Sequence, residues 1–90
     1  MVPDDYAQMQ QARRLLDSDE VSRRALDLLK RQMAAPGWSI AKILDQDPEV
    51  VGKALADLRR VGLIDTESGS GLDGFYYLTG LGYRVMSSAA

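Results

Sequence analysis

Charged side chains are the groups of this sequence that could do chemistry, because it contains no Cys and no His. Without these two residue types, a thiolate metal site and the usual nucleophile-and-base arrangements of hydrolytic enzymes are both missing. Carboxylates are plentiful, with 13 Asp and Glu residues, but no pair of them lies in a recognisable catalytic motif. We therefore expect a protein that is not an enzyme and that uses no metal and no other cofactor.

One segment matches a phosphate-binding pattern. Residues Gly69-Ser70-Gly71-Leu72-Asp73-Gly74 fit G-x-G-x-x-G, which binds dinucleotides when a strand precedes it and a helix follows it. Here a strand-favouring run follows instead. The density of Gly and Asp is typical of a flexible hairpin tip, in which Asp73-Gly74 is able to adopt positive φ. We interpret this segment as a turn.

Length and composition indicate one small folded domain. The 90 residues are 46% hydrophobic and 27% charged, with a formal net charge of -2, which is typical of globular chains and not of disordered ones. The N-terminus is acidic where a signal peptide would be basic, and no apolar run approaches the roughly 20 residues that span a bilayer. We expect a cytoplasmic protein that does not act at a membrane.

Two helices are predicted before residue 34. The first has Asp4 and Asp5 at its start and Arg13 and Arg14 near its end, which complements the helix dipole. A capping-box-like start at Asp17 begins the second helix, in which apolar residues recur at helical spacing. These residues are Val21, Ala25, Leu28, Leu29 and Met33. The run Ala34-Ala35-Pro36-Gly37 then stops the helix.

Two more helices and a hairpin follow. Ser39 is the predicted N-cap of a short helix, with Trp38 packing on Ile43 as a hydrophobic staple. Asp47 caps a longer helix that has Pro48 in its first turn and Gly62 just past its end.

Residues 63–67 and 75–79 are rich in strand-favouring types and predict a β-hairpin. One more turn or short helix is expected after Gly80, and residues 87–90 are expected to fray. The fold class is mainly α with a small β-hairpin (α+β).

Three motifs carry a resemblance to a known family. Ser39-Ile40-Ala41-Lys42-Ile43-Leu44 resembles the opening of the second helix of a winged helix-turn-helix domain, and Gly62-Leu63-Ile64 resembles the exit from its third helix. Leu78-Thr79-Gly80-Leu81-Gly82 is similar to the Leu-Thr-x-x-Gly that closes the wing in small bacterial or archaeal regulators of the MarR and ArsR types. The resemblance implies a winged domain over residues 19–86, an extra N-terminal helix over residues 1–18 and a tail over residues 87–90.

The resemblance also implies a function, which is a small dimeric transcriptional regulator. In this family the third helix, here Pro48 to Val61, enters the major groove of double-stranded DNA. Lys53 and Arg60 would reach guanine edges or phosphates, and Glu49 would accept from cytosine. The backbone contacts would come from Lys42, Arg59 and Ser39. Metal sensing is not expected without Cys and His, and the short chain leaves little room for a small ligand.

The charge pattern leaves a second interpretation of this helix open. Glu49, Lys53 and Asp57 are spaced by four residues, so they could form a self-paired, solvated face. From Gly37 onward five bases stand against seven acids, so long-range attraction to DNA should be weak. The bases are Lys42, Lys53, Arg59, Arg60 and Arg84, and the acids are Asp45, Asp47, Glu49, Asp57, Asp65, Glu67 and Asp73.

The alternative function is a winged helix that binds a protein partner and not DNA. Strand alternation puts Phe75 and Tyr77 on the side of the hairpin that does not pack on the helices. They are either an interface or are covered by the N-terminal helix. Tyr6, Met9 and Leu16 on that helix are likewise either a lid on the core or the seam of a homodimer.

Overall fold

The computed structural model describes the backbone of residues 3–88 and the side chains of residues 7–87. Five α-helices, three strands and one short 3-10 helix form this part of the chain. The helices are α1 (Pro3–Ser18), α2 (Glu20–Gln32), α3 (Gly37–Leu44), α4 (Pro48–Arg60) and α5 (Gly80–Ser88). The strands are β1 (Ala34–Pro36), β2 (Ile64–Ser68) and β3 (Phe75–Leu78), and the 3-10 helix is Gly71–Asp73. This confirms the predicted α+β class.

A single apolar core joins the helices to the sheet. Its fully buried residues include Leu26 and Leu29 of α2, Ile40 of α3, Leu55 of α4 and Ile64 of β2. Burying side chains of this size contributes about 1.5–3 kcal/mol each to folding. The core therefore fixes how α3 and α4 sit against the sheet. Across residues 3–88, no helix combines the length and apolar character needed to cross a membrane.

The start of α2 differs from the prediction. Asp19, not Asp17, is its N-cap, and the Asp19 carboxylate accepts from the Val21 N–H at 3.1 Å and the Ser22 hydroxyl at 2.8 Å. Asp17 lies inside α1, which continues to Ser18. The predicted cap was wrong by two residues because a single residue separates the two helices.

The start of α3 also differs. The helix begins at Gly37 after Pro36, which provides no side-chain cap, so the predicted Ser39 cap was wrong. The predicted staple was wrong as well, because Trp38 lies inside the first turn and is 60% exposed, while Ile43 is 49% exposed. Residues 34–36 form β1, which leads the chain directly into α3. The sequence patterns did not predict this short strand.

The boundaries of α4 are as predicted. The Asp47 carboxylate accepts from the Glu49 N–H at 2.8 Å, and Pro48 occupies the first turn, where its missing N–H costs nothing. Gly62 follows the helix with φ of 85°, a left-handed conformation that favours glycine. Helix α4 therefore has defined ends at both termini.

The sheet is antiparallel with strand order β1-β3-β2. The predicted hairpin is confirmed by the pairs Ile64–Leu78 and Thr66–Tyr76, with an irregularity before Ser68. The predicted positive φ at Asp73-Gly74 was wrong, because Gly74 has φ of -75° and the left-handed residues of this turn are Gly69 and Gly71.

The terminal helices pack on the core. Ala12 and Leu16 of α1 and Val85 of α5 are buried, and Met9 is half-buried against them. Of the tail expected to fray, residues 87 and 88 belong to α5, and residues 89 and 90 lie outside the described residues.

Candidate nucleic-acid interface

A tight turn sets the angle between α3 and α4. Asp45 ends α3 in the left-handed conformation, with φ of 54°, and its N–H bonds to carbonyls of the last turn of α3. Two residues later Asp47 caps α4. Asp and Asn adopt this conformation more readily than other residues with a Cβ, because their short polar side chains bond locally.

The two faces of α4 are those predicted from the sequence. Val51, Leu55 and Leu58 are buried against the core. The exposed face carries Glu49, Lys53, Ala56 and Arg60. Lys53 and Arg60 are seven residues apart, so they lie two turns apart on the same face.

The expected self-pairing of this face is not found at Lys53. Among the described side chains its ammonium makes no ion pair with Glu49 or Asp57. The Asp57 carboxylate pairs with Arg60 at 2.9 Å instead. The ammonium of Lys53 is therefore open to an outside anion.

The two arginines at the end of α4 bind carboxylates. Arg59 contacts Asp65 of β2 at 3.3 Å, and both side chains are about half exposed. Arg60 is 72% exposed on its pair with Asp57. Exposed pairs of this kind contribute about 0–1 kcal/mol and are screened by salt. Either guanidinium can therefore exchange its carboxylate for a phosphate at small cost.

The remaining predicted contacts lie on α3. Lys42 is exposed and Ser39 is half-buried, and the two are three residues apart on the side of α3 opposite Ile40, Ala41 and Leu44, which are buried. The structure thus places the predicted basic residues on exposed surfaces of two helices that pack together.

A groove that the sequence analysis missed lies between α4 and the turn of the hairpin. Its volume is about 420 Å³. Its lining residues are Gly52, Ala56, Arg59, Arg60, Ser70, Gly71 and Tyr76. The small residues Gly52 and Ala56, four apart on α4, were the signal that could have revealed it. Burial raises the pKa of the Tyr76 phenol, and the nearby Arg59 opposes this effect.

The residues predicted for a protein interface divide into two groups. Leu16 is buried and Met9 half-buried in the chain's own core, which favours the lid interpretation of α1, and the Tyr6 side chain lies outside the described residues. Phe75 is half-buried and Tyr77 is 36% exposed on the outer side of the sheet, as strand alternation predicted.

A second, larger cleft has a volume of about 750 Å³. Arginines and aspartates of α1 and α2 line it together with apolar residues of α1, α3 and α5. The lining residues are Arg13, Leu16, Asp17, Arg23, Arg24, Asp27, Arg31, Ile43, Leu44, Val85 and Met86. The short length had suggested that no such cleft would fit. Over the described residues, no group of three or more carboxylates could hold a metal ion.

No protein-family model matches the chain, and no curated protein matches its sequence. Two solved structures match its fold. A MarR-family transcriptional regulator from Silicibacter pomeroyi has a TM-score of 0.69 at 20% identity, over 91% of this chain and 58% of that one. A second MarR-family transcription regulator has a TM-score of 0.67 at 21% identity, over 92% of this chain and 56% of that one.

The chain therefore spans less than two-thirds of the length of both structures. A likeness at this identity concerns the fold. With its helix pair, its capped third helix and its hairpin, the chain has the winged-helix fold of MarR-type proteins.

Proposed function

We propose that this protein binds double-stranded DNA with the exposed face of α4 in the major groove and acts as a transcriptional regulator in the cytoplasm. The observation that carries the proposal is the state of the bases on α4. Lys53 has no partner among the described side chains, and Arg59 and Arg60 are held by ion pairs in which the guanidinium side chain is about half exposed or more. The names of the two structural neighbours, both transcription regulators, support the same assignment.

In the proposed complex, each polar residue of the site contacts either a base or the phosphate backbone. Lys53 and Arg60 reach guanine edges or phosphates, and Glu49 at the start of α4 accepts from cytosine. Lys42, Arg59 and Ser39 hold the phosphate backbone on either side. The nearby carboxylates weaken the general attraction to DNA, and the number of phosphates that the bases neutralise sets how strongly binding depends on salt.

Fluorescence anisotropy with mixed-sequence duplex DNA at low salt tests the proposal. If the four bases of α3 and α4 each neutralise one phosphate, log K should fall against log salt with a slope of about -4 per protomer. Absence of binding at high micromolar protein concentration would overturn the proposal.

A matched pair of variants tests the assigned face. Lys53→Ala should weaken binding about fivefold without lowering the melting temperature, because the ammonium makes no contact inside the chain. Lys30→Ala, on the exposed side of α2, removes the same charge elsewhere and should leave affinity unchanged. Equal effects of both variants would show that general charge, and not this face, carries binding.

Self-association is part of the proposal, since symmetric dimers are the commonest oligomers and would predict a palindromic site. Sedimentation equilibrium measures it directly. A dimer supports a palindromic operator, and a monomer restricts recognition to a single half-site.

The alternative function, a protein-binding winged helix, rests on the outer side of the sheet. Tyr77 and Phe75 lie there opposite Ala34 and Pro36 of β1, and Met33 beside the strand is 69% exposed. Exposed aromatics of this kind favour protein contacts. Tyr77→Ser and Phe75→Ser should then abolish self-association with little change in melting temperature, whereas unfolding of the Phe75 variant would mark that residue as core.

A further inference from the structure

The turn between β2 and β3 folds back onto the helices instead of projecting away from them. The short 3-10 helix Gly71–Asp73 packs against both α3 and α4. The Gly37 N–H, at the start of α3, donates to the Gly74 carbonyl at 2.9 Å. This bond joins two segments that are 37 residues apart in sequence.

The approach of the turn to α3 leaves no room for a side chain at Gly37. A Cβ at this position would lie 2.7 Å from the Gly71 carbonyl oxygen and 2.8 Å from the Leu72 Cα. Backbone atoms cannot yield as a flexible side chain can, so a substitution here would push the turn away.

Two further contacts that involve side chains hold the turn in place. The Tyr76 hydroxyl donates to the Gly71 carbonyl at 2.8 Å. Leu72 is half-buried and packs against the core. The turn is therefore attached by backbone, by a buried phenol and by an apolar contact.

The composition of the turn also argues against a phosphate-binding role. Residues 68–74 contain no Lys and no Arg, and their one charged residue is Asp73. Half to two-thirds of protein–DNA hydrogen bonds go to phosphate and sugar, and cationic side chains supply most of the electrostatic attraction.

We propose that this turn is a clasp that holds α3 and α4 against the sheet, and that the protein contacts DNA through α3 and α4 while leaving the adjacent minor groove free. Leu72 and Gly37 are positioning residues in this arrangement. The part of the inference that concerns DNA rests on the proposed function, whereas the clasp itself does not.

Hydrogen exchange measures the clasp without DNA. Leu72→Ser should raise the exchange rate of the α3 amides of residues 41–44 about tenfold, because it removes the apolar contact that holds the turn in place. Leu72→Met keeps an apolar side chain of similar volume and should restore protection. Unchanged exchange in Leu72→Ser would overturn the clasp.

DNA affinity shows whether the clasp positions α4. At a temperature where both variants are folded by circular dichroism, Leu72→Ser should bind duplex DNA at least about fivefold more weakly than Leu72→Met. A role in stability alone would lower the melting temperature and leave the affinity of the folded protein unchanged. Equal affinity of the two variants would therefore overturn the positioning role.

Competition with netropsin, a drug that occupies the minor groove of A·T-rich DNA, tests where the turn lies. Saturating drug should change the affinity of the protein less than about twofold, because only the major groove is contacted. Asp73→Lys should also change affinity less than about twofold at 150 mM salt, about the ionic strength at which exposed charges are screened beyond 8 Å. Displacement of the protein by netropsin, or clearly tighter DNA binding of Asp73→Lys, would overturn the claim that the turn leaves the minor groove free.

Failure of the proposed function and failure of this inference would give different results. If the unmodified protein binds no duplex, the proposed function fails, and with it the statement about the minor groove. The exchange rates of the Leu72 variants then still decide whether the clasp exists. If the protein binds DNA but netropsin displaces it, the proposed function stands and the inference fails.

Discussion

Two of the three Arg-Arg pairs of this chain differ in their surroundings. On α2, Arg23 donates to the Leu16 carbonyl at 3.5 Å, and Arg24 donates to the Leu44 carbonyl at 3.3 Å. At the end of α4, Arg59 and Arg60 pair with carboxylates at 3.3 Å and 2.9 Å. The first pair therefore joins helices, and the second neutralises local charge.

The physical difference is in what each partner does to the guanidinium. A carbonyl near a helix C-terminus carries a partial negative charge, so a cation there ties down the helix end and keeps most of its own charge. A carboxylate cancels the charge until a phosphate displaces it. Arg23 and Arg24 should thus affect stability, and Arg59 and Arg60 should affect DNA binding.

The largest change in DNA affinity is expected when the carboxylates near Arg59 and Arg60 lose their charge. The double variant Asp57→Asn with Asp65→Asn removes two negative charges from the proposed interface and should tighten DNA binding about tenfold at 50 mM salt. Anisotropy measures the change. Asp27→Asn, which frees Arg31 on α2 from an exposed ion pair, is the control and should have no effect on DNA affinity. If the double variant and Asp27→Asn both bind DNA more tightly, the end of α4 and the surface of α2 do not differ in their role in DNA binding.

Loss of one guanidinium on α4 comes next. Arg60→Ala should weaken DNA binding about fivefold and make the salt slope less negative by about 1. Its thermal stability should hardly change, because an ion pair with a side chain that is 72% exposed contributes under about 1 kcal/mol. Arg24→Ala should leave the same affinity unchanged, and a loss of affinity there would contradict the assignment of the interface to α4.

The free energy of unfolding should depend on the arginines of α2 more than on those of α4. Arg24→Ala removes the bond that joins α2 to the end of α3, and it should lower the free energy of unfolding by about 1 kcal/mol. Urea denaturation followed by circular dichroism measures this difference. Arg31→Ala, which breaks an exposed pair on the same helix, should cost less than about 0.5 kcal/mol. If the two variants are equally stable, the carbonyl contact of Arg24 has no structural role.

The smallest change in the free energy of unfolding is expected for Arg23→Ala. Its bond to the Leu16 carbonyl, at 3.5 Å, is at the outer limit of hydrogen-bond geometry. The same denaturation experiment should show a loss of less than about 0.5 kcal/mol. A loss larger than that of Arg24→Ala would reverse the order derived from the two distances.

Much of the fold could be predicted because its signals are local. Asp47, Pro48 and Gly62 mark the ends of α4 through effects that reach two or three residues along the chain. The helical spacing of Val51, Leu55 and Leu58 predicted which face of α4 is buried, and alternation predicted which side of the hairpin packs. The same helical spacing predicted which residues of α4 are exposed.

The missed strand and the wrong cap of α3 have decisive partners far away in sequence, whereas the wrong cap of α2 and the wrong turn residues were decided within a few positions. β1 has only three residues and exists because β3 pairs with it, about forty positions later. Pairing of β1 places Gly37 at the start of α3 and removes Ser39 from the cap. The partners of Arg24 and Arg59 were likewise absent from their own local sequence.

The sequence by itself determined the class of the fold, the ends of α4 and the side of that helix that faces outward, because caps and periodicity act within one or two turns. Only the tertiary structure decided that the hairpin turn folds onto α3 and that Arg24 of α2 binds the carbonyl of Leu44 at the end of α3. Those outcomes depend on contacts between distant segments, which form only when burial of the common core brings the segments together.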